Sequence, residues 1–242
     1  MKTEDGKLVP PILYYHRVDP ALSPHAGVTP DQFRSQLSIL KQTGFLGTTL
    51  DFAMKNGHAD PVTGKKIVAI TFDDGYQDNY RYAMPILQEF GFLATIFCLS
   101  GKIGGVSDWT DDPVWKGHPL LDGPQMRELS SLGFEIGSHT RTHVDLSRVS
   151  PVEARDEIAN SKTELEDLLG VPVRSFCYPF GAYREETPSL ARSAGYSWGR
   201  SVSRRSLLRP VVSSMLLPCR PVSGRMSLPR FRSWTLLTRI TG

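Results

Sequence analysis

Two spacings of apolar residues alternate along this chain. Short continuous runs fall at residues 12–15, 45–50, 67–72, 94–99, 134–138, 174–178 and 196–202. The clearest is 67–72, Ile-Val-Ala-Ile-Thr-Phe, apolar on both faces as a covered parallel strand requires. Between these runs the spacing turns helical. Phe33, Leu37 and Leu40 form a stripe behind Thr29 and Gln32, a capping box with Pro30 at the first helical position. Ser150 and Glu153, with Pro151, open a second helix that runs to about residue 169 on Ile158, Leu165, Leu168 and Leu169. Further helices are predicted near 79–90, where Pro85 kinks the helix or starts its second half, near 124–132, and over 189–194. Residues 101–123 carry glycines, prolines, Trp109 and Trp115, and read as a long loop.

Strand–helix alternation of this kind predicts a parallel sheet with right-handed crossovers. The residues able to do chemistry cluster at the predicted C-terminal strand ends, where barrel enzymes build their sites. Asp73 and Asp74 follow one apolar run; His139 and His143 follow another. Two imidazoles and one carboxylate make a facial ligand set for a divalent ion, zinc first, with cobalt or nickel able to serve. A second carboxylate beside it can act as a base on water. His16 ends the first strand and should open on the same face.

At Thr71-Phe72-Asp73-Asp74-Gly75 and Ser138-His139-Thr140-Arg141-Thr142-His143 the chain resembles the polysaccharide deacetylase family, carbohydrate esterases that share the NodB homology domain. The runs Pro11 to His16 and Tyr178-Pro179-Phe180-Gly181 resemble the branch that acts on poly-N-acetylglucosamine and related exopolysaccharides. The resemblance spans about residues 10–198. It implies a distorted, often incomplete (β/α) barrel of about seven parallel strands, and hydrolysis of N-acetyl groups on a polysaccharide or oligosaccharide. It implies Asp73 as base, Asp74, His139 and His143 as metal ligands, and the backbone N–H of Phe180 as oxyanion donor.

Two positions depart from the family pattern. Cys177 stands where an arginine often orients the base, and the late Leu-His motif that provides a general acid is absent, because no histidine follows His143. Position and elimination make His16 the candidate acid. Arg17 and Asp19 are candidates to contact the sugar or Asp73. A catalytically degenerate, carbohydrate-binding homologue is the alternative reading. An iron oxygenase with a 2-His-1-carboxylate set is a third, against which the spare Asp73 argues.

Composition adds bounds. The 242 residues fit one large domain, and no apolar run reaches membrane-spanning length. The N-terminus lacks the apolar core of a signal peptide, so the expectation is a cytoplasmic protein or one whose export signal is absent from this chain. Cys98, Cys177 and Cys219 show no disulfide or zinc spacing. His25, His58 and His118 read as surface residues. The net charge of +3 hides an asymmetry: nine Arg and no Asp or Glu fall from residue 200 onward. The expected division is therefore a deacetylase barrel over 1–199 and a basic segment over 200–242 that completes the barrel, with residues 211–217 as its last strand, or is partly disordered. Such a tail suits anionic polymers or a membrane surface; without aromatic interleaving it does not suggest nucleic acid.

Overall fold

The computed structural model describes residues 9–22, 27–202 and, by backbone alone, 214–218. Eight strands form one curled sheet: β1 Ile12–Tyr15, β2 Phe45–Thr48, β3 Lys66–Phe72, β4 Thr95–Cys98, β5 Glu135–Ser138, β6 Ser175–Cys177, β7 Trp198–Val202 and β8 Ser214–Pro218. The path runs β1-β3-β4-β5-β6-β7-β8, with β2 paired to the first half of β3. Strands β1 to β7 are parallel; β8 returns antiparallel to β7. The result is the expected barrel-like sheet of seven parallel strands.

Six α-helices connect the strands: α1 Pro30–Gln42, α2 Leu50–Asn56, α3 Met84–Phe90, α4 Gly123–Ser131, α5 Pro151–Leu169 and α6 Thr187–Ser193. The Thr29–Gln32 capping box forms with both arms closed, while at α5 only the Ser150 hydroxyl caps, accepting from the Glu153 N–H. None of the described helices is long and apolar enough to cross a membrane.

The core explains the spacing. From α1, Phe33 and Leu37 are wholly buried, and Phe33 meets Tyr15 of β1 and Phe72 of β3 edge-on at ring distances of 5.0 and 5.8 Å. Strand β3 is exposed only at Lys66. Cys98 is buried as a small apolar group.

Three details refine the sequence pattern. Residues 45–50 split, because the Thr49 side chain caps α2 and turns the chain out of the strand. Pro85 does start the second half of the helix over 79–90, as one of its two readings has it: before α3, residues Asn79–Ala83 form a wider π-helical turn that absorbs the missing N–H of Pro85. His118 is half-buried against Tyr76, with rings 6.3 Å apart, rather than a surface group. Strand β7 runs across the expected boundary at 199/200. Beyond it, apart from the backbone of 214–218, the basic segment, His25 and Cys219 lie outside the described residues.

Candidate active site

Strand β3 ends at Phe72, and the Asp73 N–H still reaches across to the Tyr15 carbonyl (2.9 Å). The chain then turns sharply through Asp74 (φ 70°) and Gly75 (φ 69°). Glycine is required at 75 because a Cβ there would lie 3.1 Å from Cys98 Sγ in a left-handed backbone. Both carboxylates are buried, Asp73 at 2% and Asp74 at 5% exposure. On the neighbouring path, β5 delivers His139, whose N–H bonds the Cys98 carbonyl (2.9 Å), and a tight loop returns His143 to the same face.

Asp74, His139 and His143 converge. Asp74 Oδ1 lies 3.3 Å from His139 Nε2 and 3.2 Å from His143 Nε2, and one ligand atom from each of the three falls within 4.8 Å of the others. The contacts are close but poorly aligned, so the buried Asp74 Oδ1 has no hydrogen-bond partner. An orphaned carboxylate oxygen faced by two imidazole nitrogens is a donor set that fits a divalent cation. His139 Nδ1 lies 2.7 Å from the Cys177 carbonyl. That carbonyl can only accept, so Nδ1 donates to it. Burial works to lower the His139 pKa, but Cys177 and Asp74 beside it outweigh this and raise it well above the ordinary imidazole value. A bound ion would take the place of the Nε2 proton that faces Asp74. Burial works to raise the Asp74 pKa, but the two imidazoles facing it outweigh this and hold it well below the usual carboxylate range. Burial pushes the His143 imidazole below its ordinary value, favouring the neutral form that can ligate. The His143 ring lies between Trp109, tilted over it at 4.7 Å, and Phe180, edge-on at 4.6 Å.

Asp73 has a different partner. Arg200 of β7 donates from Nη2 to Asp73 Oδ1 and lies 3.1 Å from Cys177 Sγ. The guanidinium is wholly buried, spread over Phe97 and Tyr14 at 5.1 and 5.6 Å. Burial disfavours its charge, but Asp73 outweighs this and pushes the pKa above the ordinary arginine value. The other Asp73 oxygen, Oδ2, faces His16 Nε2 at 4.0 Å. Sequence spacing does not single out Arg200, which composition groups with the basic tail. Yet Cys177 and Arg200 face each other across the β6–β7 ladder. The guanidinium missing from position 177 thus arrives from one strand over. A lone arginine inside the apolar run 196–202 was the available signal.

The loop after β4 covers this face. Trp115 meets His16 at 5.4 Å, and the Tyr76 hydroxyl donates to the Trp115 carbonyl (3.4 Å). Arg17 does not reach Asp73: it is buried, bonded to Asp78 (2.7 Å), Asp19 (3.3 Å) and the Val114 carbonyl (3.3 Å), where it pins that loop. At Phe180 (φ 59°) a tight turn uses the N–H groups of Gly181 and Ala182 for its own hydrogen bonds. Among the described residues, the only non-glycine positions with positive φ are Asp74, Thr140, His143 and Phe180, all at this site. Each costs on the order of 1–3 kcal/mol and persists only where surrounding contacts fix it.

Residues 60–199 match the family model described as polysaccharide deacetylase. The Bacillus subtilis protein YxkH, which carries the name of a polysaccharide deacetylase, is 33% identical over 199 residues, 82% of this chain and 66% of its own length. A Staphylococcus aureus poly-beta-1,6-N-acetyl-D-glucosamine N-deacetylase is 24% identical over 192 residues, 74% of this chain and 62% of its own. This chain therefore spans just under two thirds of the length of these curated relatives. The solved structure of Streptococcus pyogenes deacetylase PplD in complex with acetate is similar with a TM-score of 0.64 at 30% identity, covering 77% of this chain and 80% of that one.

Removing Arg200 would leave Asp73 as a buried carboxylate without its guanidinium. Arg200→Met is expected to lower stability in urea unfolding by about 3–5 kcal/mol, the cost of breaking a buried pair. Asp73→Asn combined with Arg200→Met should lose clearly less than the sum of the two single changes. Additive losses would mean that the pair is not coupled.

Proposed function

The chain belongs to the polysaccharide deacetylase family, and from that premise we propose that it removes N-acetyl groups from a polymer containing N-acetylglucosamine, with a divalent ion held by Asp74, His139 and His143. The observation that carries this reading is the convergence of those three side chains beside an independently anchored Asp73. A bound zinc would supply Lewis acidity toward the amide carbonyl and lower the pKa of a water beside it. The chain's own residues do the rest.

Asp73 takes the proton from the attacking water. Its Oδ1 is occupied by Arg200, so Oδ2 is the oxygen left for the base. Arg200 is a positioning residue: it bonds Asp73 Oδ1 from β7 and fixes the carboxylate plane in a buried site. His16, on the Oδ2 side, delivers a proton to the leaving amine. The Phe180 N–H, left out of the hydrogen bonds of its own turn, is assigned as the donor to the tetrahedral oxyanion. Trp109 and Trp115 flank the two halves of the site as apolar walls.

The substrate follows from chemistry and likeness together. A base, an acid and a carbonyl-polarising ion suit amide hydrolysis. The Staphylococcus relative named for poly-beta-1,6-N-acetyl-D-glucosamine supports N-acetylglucosamine as the sugar. The degenerate reading drew on a missing arginine and a missing late histidine. Arg200 beside Asp73, and His16 on its other side, weigh against it.

The direct test is acetate release from poly-beta-1,6-N-acetylglucosamine and from chitooligosaccharides, before and after chelation. Release is expected from at least one of them, abolished by chelation and restored by zinc. A protein that binds these polymers and releases no acetate in any metal would support the degenerate reading instead.

Two substitutions separate the roles of base and acid. Asp73→Asn should keep stoichiometric metal and lose turnover by roughly two to four orders of magnitude. Loss of the metal together with activity would make Asp73 a ligand. His16→Ala should keep the metal and remove the alkaline limb of the pH–rate profile, because the amine then lacks its proton donor. An unchanged profile with a rate loss under about tenfold would make His16 structural.

A further inference from the structure

The two histidines of the proposed ligand set flank a loop that is strained and gripped from outside the site. Between His139 and His143, Thr140 and His143 both hold φ of 68°. For threonine, branched at Cβ, this conformation is a genuine outlier. Within the loop one hydrogen bond opposes the strain, from the His143 N–H to Thr140 Oγ1 (3.0 Å). The stronger hold comes from α5. One carboxylate, Glu157, accepts three hydrogen bonds from the middle of the loop. Its Oε2 takes the N–H groups of Arg141 (2.8 Å) and Thr142 (3.0 Å), and its Oε1 takes the Thr142 hydroxyl (2.8 Å). Glu157 is buried, although it lies on a helix and is not one of the three converging side chains.

The opposite side of the loop is fixed as well. The carbonyls of Thr140 and Arg141 accept from the N–H groups of Ser100 (3.3 Å) and Gly101 (3.0 Å) after β4. Two turns along α5, Glu164 accepts from Arg141 Nε (2.8 Å) and Ser100 Oγ (2.5 Å). The loop is thus held between α5 and the end of β4. With the amides of 141 and 142 turned toward α5, the imidazoles at 139 and 143 are left on the side of Asp74.

We infer that Glu157 is a positioning residue for the ion: it sets how tightly Asp74, His139 and His143 bind a divalent metal by holding the loop between the two histidines in its strained shape. This rests on the metal-site reading proposed above. Glu157 supplies no ligand atom. Its effect is to remove the freedom of a loop whose relaxed form would aim His143 elsewhere. Outer partners of metal ligands commonly set affinity within one or two orders of magnitude.

The test uses the full chain and zinc alone. Zinc affinity is measured by competition with a chromophoric chelator, and thermal midpoints are taken metal-free and with zinc. In Glu157→Gln one of the three donors meets an amide NH2 instead of an oxygen. Affinity for zinc is expected to fall about 10–100-fold, and the rise in midpoint on adding zinc should shrink, beyond any change in the metal-free midpoint. A merely structural role would lower both midpoints together and leave the affinity alone. Should Glu157→Gln fail to fold, Thr142→Val carries the same test. It removes a single donor to Oε1 and should weaken zinc binding about fivefold, the effect of one net hydrogen bond. A folded variant that binds zinc as tightly as the wild type overturns this inference while leaving the metal-site reading intact. A wild-type chain that takes up no zinc overturns both.

Discussion

Two adjacent carboxylates, Asp73 and Asp74, are buried at the end of a strand that is itself buried, and the rest of the site is organised by that fact. Desolvating a single carboxylate costs several kcal/mol unless a partner compensates it, and two neighbours also repel each other. The sheet supplies a separate partner to each. Arg200 reaches Asp73 from β7, and the imidazoles on the loop after β5 face Asp74. Because adjacent residues leave a strand on opposite sides, the two carboxylates can serve one site only if the chain turns between them. The left-handed backbone at Asp74 and Gly75 does that. One acid is left anchored with an oxygen toward His16; the other is left with an oxygen that no hydrogen bond satisfies.

That arrangement requires rigidity. Among the described residues, four non-glycine positions hold positive φ, and contacts from several parts of the fold brace them. The loop between His139 and His143 is bonded to α5 and to the end of β4. Phe180 and Trp109 enclose the His143 ring. Arg17 ties the loop bearing Trp115 to the turn after β3. The strain is concentrated where side chains must be aimed, and the parallel sheet beneath is regular.

The strands, most helices and the convergence of Asp74, His139 and His143 were legible in the sequence because each rests on short-range information. A buried run, a cap or a pair of residues four apart needs no knowledge of distant chain. What depends on register between strands was not legible. Arg200 is opposite Cys177 only because β6 and β7 pair as they do, and the gap of 23 residues says nothing of it. Glu157 was hidden for a similar reason, since an acidic residue in an amphipathic helix looks solvated until the helix docks on a loop. The short helix α2 is missing from the sequence pattern, where only its first residue, Leu50, ends the run 45–50, because Thr49 interrupts that stretch too briefly to register as a cap. Arg17, in the sequence a candidate to contact the sugar or Asp73, binds Asp78 in the structure, a residue 61 positions away that no local pattern links to it.

The central claim is that Asp74, not Asp73, joins the two histidines around an ion. Anomalous scattering at the zinc absorption edge from zinc-soaked crystals tests it most directly. The account predicts one strong peak within about 2.0–2.2 Å of a carboxylate oxygen of Asp74 and of the Nε2 atoms of His139 and His143, with Asp73 outside bonding distance and still bonded to Arg200. A peak bonded to Asp73 and His16, or none at the three side chains, would contradict it.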